Sequence, residues 1–397
     1  MVAPPRPSAT ETSPQAGLGP ALATMTAVQA VISAAIFAPG VIAPRVGLEP
    51  AALSLFSGLV FATGLLAAGR AGALVSRIGP MRTAALAAAT AALGLMAAAA
   101  GSGPALAVAA VLLGLAFGPE TPASAALLGR LARPADRPFV FSVRQTGNQI
   151  GAAAGSLLLP ALVAAYDPRL GYAAVAAAAL GVALAAATLA RRYDAVRPPA
   201  GAATIRAGLA EVLAQRPLAT LAVAAAAFGA MQLALNTVFV SHAVRLGHDH
   251  VAAGIAMAAA QVAGLVGRLG WGAAVGRLGS ARRIVAALGF GMSLSALALA
   301  AFGPQFPWGA LVALAIAFGA TASGWNGIFV AEVARLAGPD RVAAVTGTVL
   351  SIAYAGLLVG PAIVAGTEAL GGLPASFAAL GVLAAAGAVL LIFGDDP

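Results

Sequence analysis

The chain contains no cysteine and no lysine. Without cysteine it can form no disulfide, thiolate metal site or cysteine nucleophile. Without lysine it cannot build a Gly-x4-Gly-Lys-Ser/Thr phosphate loop, so ATP-driven pumping by this chain alone is not expected. Charge is also scarce: charged residues are 9% of 397, against 61% hydrophobic, and mean hydropathy is +0.95. A soluble domain of this size needs far more polar surface to cover its core, which makes the bilayer the solvent. The short alternating segments of a membrane barrel are missing as well. What is present are apolar runs of about 18 residues or more, the length that spans a membrane as a helix. In hydrocarbon only such helices satisfy the backbone from within.

All 22 basic residues are arginine, and the net charge of +9 has the look of a nucleic-acid binder. Placement argues otherwise, because the arginines lie in short loops between apolar runs, where membrane topology needs them. No nucleic-acid partner is expected; the lipid bilayer is the expected surrounding. Arginine in place of lysine, with abundant alanine, points to a GC-rich bacterial genome and hence a bacterial inner (cytoplasmic) membrane.

Residues 1–19, rich in Pro, Ser, Thr and Ala, read as a disordered cytoplasmic tail rather than a signal peptide, since the following apolar run is too long. Twelve spans are expected, at about 20–43, 51–69, 83–101, 105–128, 139–163 and 171–190, then 217–243, 251–274, 284–303, 308–334, 342–365 and 374–393. Gly and Pro punctuate the joins, as in Gly101-Ser102-Gly103-Pro104. The polar stretch 191–216 reads as a cytoplasmic linker between bundles at 20–190 and 217–397. With the N-terminus inside, outer loops receive Arg45, Arg169 and Arg245, and every other loop arginine faces the cytoplasm. That asymmetry fixes the orientation, and an even span number returns the C-terminus to the cytoplasm.

The halves repeat with an offset of about 200 residues. Gly72-Ala-Leu-Val-Ser-Arg77-Ile-Gly79-Pro-Met-Arg82 matches Gly272-Ala-Ala-Val-Gly-Arg277-Leu-Gly279-Ser-Ala-Arg282, which Arg283 follows. Ala116-Phe117-Gly118 matches Ala317-Phe318-Gly319, Asp136-Arg137 matches Asp340-Arg341, and Thr146-Gly147 matches Thr346-Gly347. Repeated halves are a mark of transporters whose site lies between them near the midplane. The first pair, placed in the loops after spans two and eight, resembles the signature of the major facilitator superfamily: Gly, three residues, Asp-Arg, one residue, Gly, then basic residues. The resemblance implies an all-α membrane protein of twelve transmembrane helices in two pseudo-symmetric six-helix halves. Gly72, Arg77, Gly79 and Arg82, with Gly272, Arg277, Gly279, Arg282 and Arg283, form its gating motif. Ser76 and Gly276 replace the aspartate, so the Asp-centred gating contact is not carried over.

Ionisable residues inside spans are functional candidates because burying them is costly. Three qualify: Glu120, Arg144 and Arg268. Arg268 lies eight residues above position 276, about 12 Å along the helix and near the midplane. The stretch Gly267-Arg268-Leu269-Gly270-Trp271-Gly272 resembles the eighth span of oxalate:formate antiporters and monocarboxylate transporters, which implies that Arg268 holds a substrate carboxylate. A guanidinium suits that work through its forked donors. The bland alternative is an arginine that snorkels or braces the gate. Glu120 sits in Pro119-Glu120-Thr121-Pro122, where two prolines predict a locally broken helix. It either carries a proton or pairs with Arg144. Arg144 opens the polar run Arg144-Gln145-Thr146-Gly147-Asn148-Gln149 of span five and is a second substrate candidate. Gly147, Gly151 and Gly155 read as a packing face.

Gln232, Asn236, Gln261, Trp325 and Asn326 are further candidates to line a substrate path, or else to hydrogen-bond between helices. His248-Asp249-His250 stands in a short outer loop without other ligands, so no metal is expected there. No catalytic constellation is visible, and neither an enzymatic activity nor a cofactor is expected. The reading that results is a monomeric secondary transporter of a small organic anion, a carboxylate foremost, by proton symport or anion exchange. A proton-coupled exporter of amphipathic drugs is the alternative.

Overall fold

The structure is a computed structural model that describes residues 17–46, 50–197 and 205–394. Most of the expected N-terminal tail and part of the linker, 198–204, lie outside the described residues. Among those described, every regular element is a helix. The first half holds α1 (Leu18–Val46), α2 (Pro50–Gly69), α3 (Ala71–Ile78), α4 (Pro80–Ala99), α5 (Gly103–Leu131), α6 (Arg137–Ala165) and α7 (Pro168–Tyr193). The linker carries α8 (Ile205–Ala214). The second half holds α9 (Arg216–Arg245), α10 (His250–Leu278), α11 (Ala281–Ala300), α12 (Trp308–Ala322), α13 (Asn326–Ala337) and α14 (Val342–Phe393).

Local sequence sets many of these starts. Proline occupies the first turn of α4, α5, α6, α7 and α9, where its missing N–H costs nothing. Ser102, Asp167, Asp249 and Ser280 cap the next helices by accepting backbone N–H groups. Asp249 therefore explains its own motif: its carboxylate takes the amides of Val251 and Ala252 at 2.9 Å and starts α10.

Nine described helical segments are long and apolar enough to cross a membrane, and α2 with α3, bent by 57°, makes a tenth. The helix α6 has the length, 29 residues, but carries Arg137, Arg144, Gln145, Asn148 and Gln149. The long α14 is two helices meeting at Gly371 and Gly372, where the backbone leaves helical angles. By length and composition the described residues thus give nine or ten spans, against the twelve expected.

Three local expectations change. The first signature copy lies on a helix, α3, and not in a loop; the second occupies the last turns of α10. The stretch around Pro119 and Pro122 is not broken, since α5 runs through both prolines. Neighbouring α2 supports that turn closely: a Cβ on Gly118 would stand 2.5 Å from the Gly64 carbonyl. Span ten, expected continuous, is interrupted at 323–325 between α12 and α13.

The packing repeats with the sequence. In the first half α1 lies on α6, α4 on α5 and α7, and α2 on α5. Their counterparts in the second half are α9 on α14, α11 on α12 and α14, and α10 on α12. Gly118 has its twin in Gly319, whose Cβ would stand 2.0 Å from the Ala260 carbonyl of α10. Each glycine lets span four or ten lie backbone to backbone on span two or eight. Gly147 and Gly151 face the α1 backbone, as a packing face should.

Candidate functional site

Between the halves lies a cavity of about 260 Å³, lined by α1, α2, α5 and α6 on one side and α9, α10, α13 and α14 on the other. Its lining reaches along α1 to Phe37 and along α9 to Thr237. Its floor lies at the end that bears the arginine-rich loops. There α14 meets α2, α3 and α5, while α6 meets α10 and α13. Ser351 Oγ donates to the Leu65 carbonyl at 2.8 Å. Two glycines of the signature copies seat this floor. A Cβ on Gly72 would stand 2.6 Å from Ala344 Cα, and one on Gly272 would stand 2.3 Å from Ser142 Oγ. Each copy thus meets a span of the opposite half.

The other signature residues do different work. Gly79 turns the chain at φ +94°, and the Asp194 carboxylate beyond it accepts the amides of Met81 and Arg82 at 2.9 Å each. Burial pushes the Asp194 carboxyl up; those amides, with Arg82 and Arg130, pull it back in part. The Arg77 carbonyl accepts Arg197 Nη1 at 2.7 Å. Arg282 is buried and binds within its own half, to the carbonyls of Leu391 and Pro217 and to Thr220 Oγ1. Gly279 repeats the turn of Gly79 at φ +91°, while Arg277 and Arg283 are exposed.

Three ionisable side chains come together at the cavity floor: Glu120, Arg144 and Arg268, each 1% exposed. Arg144 Nη2 pairs with Glu120, and its Nη1 donates to Thr121 Oγ1 at 3.0 Å. Thr121 in turn donates to Glu120 Oε1 at 2.7 Å. The expected pair forms, with Glu120 toward the cavity and Arg144 behind it, outside the lining. Arg268 lines the cavity and is placed otherwise. Its Nε donates to the Ser323 carbonyl at 2.7 Å and its Nη1 to the Gln145 carbonyl of the opposite half at 2.6 Å. Among the described residues no carboxylate pairs with it and none accepts from its Nη2. Arg268 thus lines the cavity and also bridges the two halves through the Gln145 carbonyl.

Gln232, Asn236, Trp325 and Asn326 also line the cavity, and Gln261 stands behind, 3.3 Å from Asn236 Oδ1. Asn326 donates to Gln232 Oε1 at 3.2 Å, so these amides hold one another. Sequence reasoning missed Gln29, Ser33 and Tyr354. Gln29 and Ser33 lie at i, i+4 in the apolar run of α1, a spacing that puts them on one face. The Gln29 amide touches that of Gln145 at 2.6 Å, and Ser33 donates to Asn148 at 2.9 Å. Tyr354 stacks on Phe117 at 4.8 Å, and Phe61 meets Phe117 edge-on at 6.2 Å, making an aromatic wall.

A largely apolar cavity carrying a few polar and charged side chains, enclosed by a helical membrane bundle and closed at one end by reciprocal contacts between repeats, is the architecture of a membrane carrier. Comparison with known families narrows this: the sequence profile of the Major Facilitator Superfamily matches residues 21–304, and the chain belongs to that superfamily. Comparison with curated protein sequences finds no match. Among solved structures, a bacterial homologue of the iron transporter ferroportin in an outward-facing state is similar with a TM-score of 0.76 at 14% identity, over 95% of this chain and 98% of that one. The human organic anion transporter MFSD10 (TETRAN) is similar with a TM-score of 0.69 at 16% identity, over 93% and 98%. The E. coli fucose:proton symporter FucP gives 0.67 at 14%, over 95% and 98%. At such identities the likeness is one of fold.

Proposed function

We propose that this transporter moves a small organic anion, with a carboxylate as its recognised group, by proton symport or anion exchange through alternating access. One observation carries the reading: Arg268 presents to the cavity a guanidinium that no carboxylate among the described residues neutralises. An uncompensated buried cation is costly, and an anion seated on it in a low-dielectric cavity relieves that cost. Gln232, Asn236 and Asn326 offer amide donors beside it. Glu120 is the proton-coupling candidate: it lines the cavity and pairs with Arg144. Because Arg268 also braces the floor through Gln145, ligand and floor compete for one guanidinium, and drawing it into the cavity loosens the floor. The bundles 20–190 and 217–397 then rock against each other about the site. In this reading the protein works as a monomer in a bacterial inner membrane. The arginine-rich floor and both termini face the cytoplasm, and the cavity faces outward.

The drug-export reading keeps one observation in its favour, the aromatic wall of Phe61, Phe117 and Tyr354. The two readings part in one experiment. A carboxylate panel is screened for thermal stabilisation of purified protein, and a stabilising compound is followed into proteoliposomes with wild type, Arg268→Ala and Arg268→Lys. The anion reading expects uptake by wild type, none by the alanine variant and weakened uptake by the lysine variant. Unchanged uptake in Arg268→Ala would return drug export to first place.

A further inference from the structure

A second pocket, of about 370 Å³, lies outside the central cavity at the arginine-rich end. The first half contributes the start of α6, including Arg137; the second contributes the end of α10 with Gly276, the start of α11 at Ser280 and Ala281, and Glu332 and Arg335 of α13. The acids around it are already engaged. Glu332 accepts a fork from Arg335, at 2.7 Å from Nε and 2.6 Å from Nη2, and Asp136 accepts Arg133 Nε at 2.6 Å. Arg137 has no such partner: its Nε is buried without a hydrogen bond, and no ion pair to it forms among the described residues. A buried donor left unmade is costly. Across the pocket, α11 presents its amino-terminal end, where the helix dipole favours negative charge. Beside it a Cβ on Gly276 would meet nothing within 4 Å, so the space is open.

We propose that this pocket binds a phosphate-bearing anion from the cytoplasmic side and thereby locks the inner gate. The anion takes the Arg137 fork on one side and the start of α11 on the other. Those groups belong to opposite halves, so the bound anion ties the halves together at their closed end. It holds the cavity open at the other end and slows turnover. This site is separate from Arg268 and does not depend on what the central cavity carries.

The absence of cysteine makes the test clean. Ser142→Cys places a single thiol, close in shape to the native side chain, in a fully buried position under Gly272 and Gly327, where a maleimide reaches it only when the floor opens. The full chain in neutral-lipid nanodiscs is labelled with and without inorganic phosphate, and separately in nanodiscs containing phosphatidylglycerol. At phosphate about ten times its dissociation constant, labelling should slow about tenfold. Protection by phosphatidylglycerol alone assigns the site to a lipid headgroup; protection by phosphate assigns it to the free anion. Arg137→Gln should abolish the protection and Arg137→Lys should keep part of it. Gly276→Asp supplies a carboxylate in the anion's place, so labelling should be slow without any addition and indifferent to phosphate. Labelling of the folded reporter that neither anion slows, or equal protection in Arg137→Gln, overturns the proposal. Should Arg137→Gln fail to fold, a Gly276→Asp protein that still responds fully to phosphate overturns it as well.

Discussion

Two guanidiniums are equally buried on the two sides of the cavity floor, and their surroundings differ. Arg144, on α6 of the first half, has a carboxylate: Glu120 neutralises it and Thr121 bridges the pair. Arg268, on α10 of the second half, has two carbonyls, which orient the fork but leave its charge in place. A cation with a fixed counter-ion is a strut, because its charge is spent inside the protein. A cation held only by dipoles remains available to a mobile anion. Exposure is the same in the two cases, so it does not predict the role; the partner does.

The comparison can be broken most forcefully at Arg144. Replacing it with alanine leaves the Glu120 carboxylate buried and unpaired, which should cost about 3–5 kcal/mol of stability. The double variant Glu120→Gln with Arg144→Gln should lose much less, as read by thermal unfolding in detergent. Equal losses would mean that the pair is no strut. Arg268→Ala should behave in the opposite way, with unfolding shifted less than for Arg144→Ala. Anion affinity should fall by about a hundredfold, or about 3 kcal/mol, in ligand-induced stabilisation or uptake.

A smaller effect is expected at the floor itself. Gly72→Val drives a side chain into Ala344 and should destabilise the closed floor by about 1–3 kcal/mol. The Ser142→Cys thiol should then label faster, while the central cavity keeps its ligand. The smallest change sharpens the comparison on the Arg268 side: Gln232→Ala removes one neutral donor and should weaken binding by about 1 kcal/mol, a few-fold in KM. A loss as large as that of Arg268→Ala would move the centre of recognition from the charge to the amides.

Much of this was legible in the sequence because the bilayer imposes simple rules. Run length gave the helices, and the pairs Gly118 with Gly319 and Gly72 with Gly272 exposed the repeat. The cost of burying Glu120 and Arg144 on consecutive spans predicted their meeting. What stayed hidden depended on tertiary context. Nothing local says that residues 71–78 coil after a bend, or that α5 runs straight through Pro119 and Pro122 because α2 supports it. Gln29 and Ser33 lie in an apolar run, and only the packing of α1 on α6 sets them against Gln145 and Asn148. For Arg268 the sequence set substrate contact against snorkelling or bracing the gate; what it could not show is that the side chain lines the cavity and reaches the Gln145 carbonyl of the opposite half.

The polarity of α6 has a consequence for how the protein is made. A segment carrying Arg144, Gln145, Asn148 and Gln149 in its first half is a poor candidate to leave the translocon for lipid unaided, since a charged residue within a spanning helix is costly on insertion scales. Its compensating groups are Gln29 and Ser33 on α1 and Glu120 on α5, all earlier in the chain. Synthesis therefore delivers the partners before the helix that needs them, and α6 can be received by protein instead of by hydrocarbon. Chain order acts here as a biogenesis programme, in which early spans serve as an internal chaperone for a late one.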